Sequence, residues 1–182
     1  NRMLEITVPE TELWDEARQE FISIDRTTLK LEHSLVSLSK WESKWLKPFL
    51  VKDAKTNEEM YDYIRCMCLN KAVDPRVFNA LTADNINAIN SYINNPMTAT
   101  TFGANKKTGI GRETVTSELI YYWMIALNIP FECQKWHLNR LLTLIEVCNV
   151  KNAPPKKYSQ RELMSRNSAL NKARRQKYNS KG

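Results

Sequence analysis

The periodicity of apolar residues changes once along this 182-residue chain, and that change divides it into two kinds of structure. Between residues 4 and 31 the apolar residues alternate with polar ones, the period of a half-buried strand. Leu4, Ile6 and Val8 form the first run and Pro9 stops it. Short runs at Glu12–Trp14, Glu20–Ile24 and Thr27–Leu31 follow, with the polar stretch 15–18 as a turn, so a small antiparallel meander over about residues 4–32 is expected. From Ser34 the spacing becomes helical: Leu35, Leu38, Trp41 and Trp45 fit one helix that ends near Pro48.

The helical pattern continues to about residue 150. Thr56 and Glu59 have capping-box spacing, in which hydroxyl and carboxylate each satisfy a backbone N–H at the helix start. Met60, Tyr63, Ile64, Met67 and Cys68 then share a face. Asp74-Pro75 opens a short helix through Leu81, and Thr82 caps another that carries Ile86, Ile89 and Ile93 as far as Pro96. Gly103, Gly109 and Gly111 with Lys106 and Lys107 make a loop. It leads into a helix over 113–128 whose second half, Leu119–Leu127, is apolar on every side, which predicts the central buried helix. With the stripe Leu138, Leu141, Leu142, Ile145 and Cys148 it is expected to form a helical hairpin at the heart of the core. The fold class is therefore mainly α (α+β), with one globular domain over 1–150.

Charge sets the last 32 residues apart. Residues 151–182 hold ten Lys or Arg against Glu162 alone, a net +9, whereas residues 1–150 hold 17 basic and 19 acidic groups, a net −2. Pro154 and Pro155 make a stiff connector. Ser159 and Glu162 then repeat capping-box spacing, so a basic C-terminal helix is expected, with a thin apolar stripe of Leu163, Leu170 and Ala173. Such a helix is marginal alone and firms up against a partner. An acidic protein, nucleic acid or a membrane surface would complete the charge, and a solvated solubilising extension is the plain alternative; few large apolar residues back the charge, so no membrane partner is expected.

Specific chemistry is sparse. Cys133 and His137 stand four apart, where a shared helix face would bring a thiol and its base together. The third group, the oxyanion site and the pocket that catalysis needs have no sequence signature, and packing accounts equally for both residues. Cys66 and Cys68 diverge around a helix, Cys-x-x-Cys is absent, and His33 and His137 are the only histidines, so neither a metal nor another cofactor is expected. The glycine loop places Lys106 and Lys107 before Gly109, the reverse of a phosphate-binding loop. Trp41 and Trp45, interleaved with Lys40 and Lys44, suit either a base-stacking strip or a core-facing aromatic stripe. The thiols read as reduced, and the longest strongly apolar run has nine residues where a membrane span needs about twenty. The candidate partner-binding residues are Lys156, Lys157, Arg161, Arg166, Lys172, Arg174, Arg175, Lys177, Trp41 and Trp45.

Two stretches, LKLEHSLVSLSKWESKWLKPFL over 29–50 and ELIYYWMIALNIPFECQKWHLNRLLTLIEVCNVKNAPPKK over 118–157, resemble short proteins of tailed phages and prophages known as tail assembly chaperones. The resemblance implies a non-catalytic protein of the host cytoplasm. It would bind the helical, aggregation-prone tape-measure protein and help recruit tail-tube subunits. It implies no catalytic residues. Nucleic-acid binding through residues 151–182 and a structural role in the virion are the alternatives, and homo-oligomerisation is compatible with each.

Overall fold

The computed structural model describes residues 3–103, 113–154 and 159–178. Four strands come first: β1 (Leu4–Val8), β2 (Thr11–Asp15), β3 (Glu20–Ile24) and β4 (Thr27–Leu31). Six α-helices follow among the described residues: α1 (Leu35–Trp45), α2 (Asn57–Met67), α3 (Ala83–Asn94), α4 (Ser117–Ala126), α5 (Leu138–Asn152) and α6 (Gln160–Tyr178). Two short 3-10 turns lie at Pro75–Asn79 and Phe131–Lys135. The chain divides into two compact units, 1–151 and 152–182, close to the boundary that charge marks in the sequence.

The mainly helical α+β architecture is as the periodicity predicts, but the strand pairing is nested where a meander would be sequential. β1 pairs with β4 and β2 with β3, both antiparallel. Paired residue numbers sum to 35 throughout, from Leu4 with Leu31 to Asp15 with Glu20. The chain thus makes one long two-stranded ribbon that turns at 16–19 and is interrupted around Pro9 and Asp25-Arg26. Proline lacks the N–H that a continuous ladder needs there. The interruption also re-aims the ribbon. The packed face carries Leu4, Ile6 and Val8 in β1 but Thr11, Leu13 and Asp15 in β2, a change of parity that places Trp14 and Phe21 on the solvent side.

The outer edge of β4 is covered by the segment that leaves α2. Glu32 N–H donates to the Met67 carbonyl at 2.9 Å and Leu69 N–H to that of Lys30 at 2.8 Å. The Asn70 side chain completes the ladder, accepting from Lys30 N–H at 2.9 Å and donating to the Thr28 carbonyl at 3.0 Å. An open edge so occupied is no longer a template for another chain. On the other side α3 packs along β1. Its start carries a reciprocal cap between Thr82 and Asn85, and Asn85 Nδ2 donates to the Thr7 carbonyl at 3.0 Å.

Helix α1 is the element around which the rest packs. It meets α2, α4 and the 3-10 turn at Phe131–Lys135, and Leu35, Leu38 and Trp41 are fully buried. This corrects the expectation of a central α4–α5 hairpin. Helix α4 starts at Ser117 rather than near 113, because Thr116 is its N-cap, and it buries only Ser117, Ile120 and Met124. Tyr122 and Ile125, on its far side, are 63% and 61% exposed. Three buried positions at spacings of three and four are one stripe, which is what a single helical neighbour can cover. Residues 104–112, which hold most of the expected glycine loop, lie outside the described residues.

Glu42, on α1, fixes two segments that hydrophobic packing alone would leave free. Its Oε2 accepts from Phe49 N–H at 3.0 Å and its Oε1 from Ser117 N–H at 2.7 Å. The first bond closes the turn after α1, where Leu46 takes the left-handed conformation (φ 55°). The second satisfies an orphan N–H at the positive end of α4. Glu42→Ala removes a charged acceptor from two buried donors. The expected loss is about 3 kcal/mol of unfolding free energy, read from urea denaturation, with Glu42→Gln losing less because one acceptor oxygen remains. A loss below about 0.5 kcal/mol would contradict this assignment.

Candidate partner-binding site

Basic residues converge on α6. Ser159 and Glu162 start it with the reciprocal capping box that their spacing predicts: Glu162 N–H donates to Ser159 Oγ at 3.2 Å and Ser159 N–H to Glu162 Oε2 at 2.8 Å. Over 19 residues α6 buries no side chain. Leu163, Met164 and Leu170 are 44%, 69% and 48% exposed. Arg161, Arg166, Lys172, Arg174, Arg175 and Lys177 give it six positive charges against Glu162, a net +5. Helical spacing distributes them. Leu163, Arg166, Leu170, Arg174 and Lys177 follow one another at intervals of three or four on one face, while Arg161, Lys172 and Arg175 lie round the other. Lys156 and Lys157 lie outside the described residues.

Trp41 does not belong to this set. Its side chain is fully buried, with indole Nε1 donating to the Glu59 carbonyl at 2.9 Å, so no surface remains for a base or a partner side chain. Trp45 stacks on it at 6.1 Å between ring centroids and donates from Nε1 to Asp62 Oδ2 at 2.8 Å. Lys44 Nζ reaches Asp62 Oδ1 at 2.8 Å, and Arg65 lies at 3.7 Å. Burial alone would push the Asp62 carboxyl up. The hydrogen bonds from Lys44 and Trp45 and the charges of Lys44 and Arg65 more than offset it and hold the carboxyl below its usual range. Trp41, Trp45 and Lys44 therefore form the joint between α1 and α2, with Asp62 serving both Trp45 and Lys44, while Lys40 stays exposed.

A related joint changes the expected cap at α2. Glu59 N–H donates to Thr56 Oγ1 at 3.2 Å, but the Glu59 carboxylate turns to the Thr56 hydroxyl and to Lys47, 2.6 Å from Oε2. Half of the box forms. The lysine offers a charge-assisted bond that competes with a backbone N–H.

The proposed thiol–base geometry at Cys133 and His137 does not arise. Cys133 sits in the 3-10 turn, which ends at Lys135, and Trp136 is extended, so the two residues share no helix face. Burial pushes the Cys133 thiol up, away from the reactive thiolate. Both nitrogens of His137 are committed: Nδ1 accepts from Asn139 N–H at 3.2 Å, which leaves Nε2 to donate to the Tyr92 carbonyl at 2.8 Å. Among the described residues no group of three or more His, Cys, Asp or Glu side chains is arranged to hold a metal ion, and no helix is long and apolar enough to cross a membrane.

What His137 does instead is join a buried polar node, which sequence reasoning missed. Its ring meets that of His33 edge to face at 5.1 Å. His33 Nδ1 lies 2.5 Å from Tyr63 Oη, which is 3.0 Å from Ser37 Oγ. His33 N–H donates to Tyr92 Oη at 3.2 Å, and Leu138 N–H donates to the His33 carbonyl at 2.9 Å. The β4–α1 junction, α2, α3 and the start of α5 thus meet around two neutral imidazoles. The sole hint in the sequence is that the only two histidines flank predicted helix starts.

No protein-family model matches the chain, and no curated protein or solved structure matches it significantly.

Burial, with the nearby His137, pushes His33 down to about 3, and burial also lowers His137. The unfolded chain therefore binds protons first as pH falls below its ordinary histidine value of about 6.5, and the native state does not follow. Stability is constant in this term above that pH and declines on the way down, by up to about 1.4 kcal/mol per unit from His33 as far as about pH 3, with His137 acting in the same direction. Urea denaturation from pH 7 to 4 is expected to show this slope, and His33→Gln is expected to flatten it. An unchanged slope in that variant would refute the assignment.

Proposed function

We propose that the protein is a non-catalytic assembly factor that works by binding another macromolecule through α6, and that its setting is the tail assembly of a tailed phage in the host cytoplasm. One observation carries the binding part: a 19-residue helix with net charge +5 that buries nothing. An isolated helix of this length is marginal in water, and its exposed Leu163, Met164 and Leu170 gain only when another surface covers them. The phage setting rests on the resemblance of residues 29–50 and 118–157 to tail assembly chaperones. Those stretches include α1 with Glu42 and the α4–α5 region with His137, so they carry the framework of the 1–151 unit.

In this reading the tape-measure protein is the partner, a long helical chain whose apolar faces aggregate before tail-tube subunits surround it. Helix α6 lays its Leu163–Leu170 face against such a helix, and its bases steer the encounter and hold acidic side chains at the rim. Co-expression with the tape-measure protein of the same phage is expected to give a soluble complex that survives purification. Arg174→Glu with Lys177→Glu is expected to weaken it at least tenfold. Failure of the unaltered chain to bind or solubilise the tape-measure protein overturns the reading.

The distribution of bases round α6 also favours a second reading, binding of nucleic acid. Helix α6 then neutralises phosphates, and affinity for a 30-mer single-stranded DNA falls steeply with salt, because every neutralised phosphate releases a counterion. Tight, salt-sensitive DNA binding with no affinity for the tape-measure protein would establish this reading in place of the first.

A further inference from the structure

Helices α2 and α3 wall a pit of about 280 Å³ in the 1–151 unit. From α2 come Met60, Tyr61 and Ile64, and from α3 come Ile86, Ile89 and Ile93. The polar bonds that fix each wall lie elsewhere round its helix. On α2, Asp62 and Tyr63 turn towards α1, where Trp45 Nε1 donates to the Asp62 carboxylate at 2.8 Å and Ser37 Oγ lies 3.0 Å from Tyr63 Oη. On α3, Asn85 Nδ2 donates to the Thr7 carbonyl at 3.0 Å and Tyr92 Oη accepts from His33 N–H at 3.2 Å. Closing the pit would break these bonds, so it stays open where a purely apolar joint would collapse.

The lining selects what the pit can hold. All six apolar side chains are buried or half-buried, so they offer enclosed volume and little open surface. A protein interface takes about 800 Å² from each partner, whereas a small molecule needs the enclosure that is present. No Asp, Glu, Lys, Arg or His side chain lines the pit, and an ionised ligand would lose its hydration there without a counter-charge. Asn57 and Asn90 are exposed and stand at the mouth, where their amides both donate and accept. A cavity of about 150 Å³ lined by apolar side chains holds benzene, so about 280 Å³ suits a molecule of one or two rings.

We propose that the α2–α3 pit binds an uncharged, mainly apolar small molecule of one or two rings that carries a single N–H or hydroxyl group. Its rings lie on Ile64, Ile86 and Ile89, and its polar group meets the Asn57 or Asn90 amide. The apolar part gains by displacing water that has few partners there. The pit lies within the 1–151 unit and owes nothing to α6.

Naphthol, which is neutral, two-ringed and carries one hydroxyl, is the probe, with naphthoate as its charged counterpart. Titration of the full chain with naphthol, followed by backbone amide chemical shifts, is expected to give saturable one-to-one binding with shifts centred on residues 57–64 and 86–93. Naphthoate is expected to bind at least tenfold more weakly. Ile86→Trp fills the pit and is expected to weaken naphthol binding at least tenfold. Asn57→Ala with Asn90→Ala, at two exposed positions that leave the core intact, is expected to weaken it at least threefold. Unchanged circular dichroism confirms that each variant folds. Absence of saturable shifts, shifts that map elsewhere, or naphthoate binding as tightly as naphthol overturns the proposal. So does unchanged binding in the folded Ile86→Trp variant or in the double asparagine variant.

Discussion

Helix α1 has to serve as the hydrophobic centre and as the anchor of several segments that have no regular partner of their own, and buried polar side chains reconcile those demands. Trp41 spends its one donor on the Glu59 carbonyl, and Glu42 spends both oxygens on the backbone at Phe49 and Ser117. At the N-terminal end Ser34 and Ser37 cap the helix reciprocally, and Ser37 Oγ reaches the Tyr63 hydroxyl that also meets His33. Each group is paired because an unpaired one at that depth would cost more than the bond contributes. The consequence is specificity: α4 and the turn at 46–49 have one position, set by one carboxylate, where apolar packing alone would allow several.

That arrangement explains which parts of the fold were legible in the sequence. Local rules read well because their partners are a few residues apart. The strand and helix periods, the Thr82 cap and the Ser159–Glu162 box all describe contacts within one element. Long-range polar pairing did not read. Nothing near Glu42 announces a bond to Ser117, 75 residues away, and nothing near His33 announces His137. The apolar run Leu119–Leu127 misled for a related reason, since composition measures how apolar a helix is and not how much surface its neighbours can cover. Helix α4 has α1 on one side and leaves Tyr122 and Ile125 outside.

The candidate site shows the same division. The basic run of α6 was visible as charge without matching acid, and that reading needs no tertiary information. Trp41 and Trp45 could not be assigned from their spacing, because a stacking strip and a core stripe share the pattern i, i+4. Asp62 decides for Trp45, accepting a hydrogen bond from its indole N–H on one oxygen and pairing with the Lys44 ammonium on the other. The meander became a nested ribbon because Pro9 interrupts the ladder without reversing the chain. Alternation of apolar residues gives strand faces and not strand order.

The proposed working surface is α6, which among the described elements buries no side chain, so the folded body and the binding element are expected to respond differently to a partner. Amide hydrogen exchange across the whole chain, alone and in complex with the tape-measure protein, tests this most directly. The account predicts fast exchange over residues 160–178 in the dilute, high-salt free protein, with protection gained there on binding, while α1 and α5 are protected in both states. Protection of α6 that is already complete in the free protein, or a complex that leaves residues 160–178 exchanging as before, would contradict it.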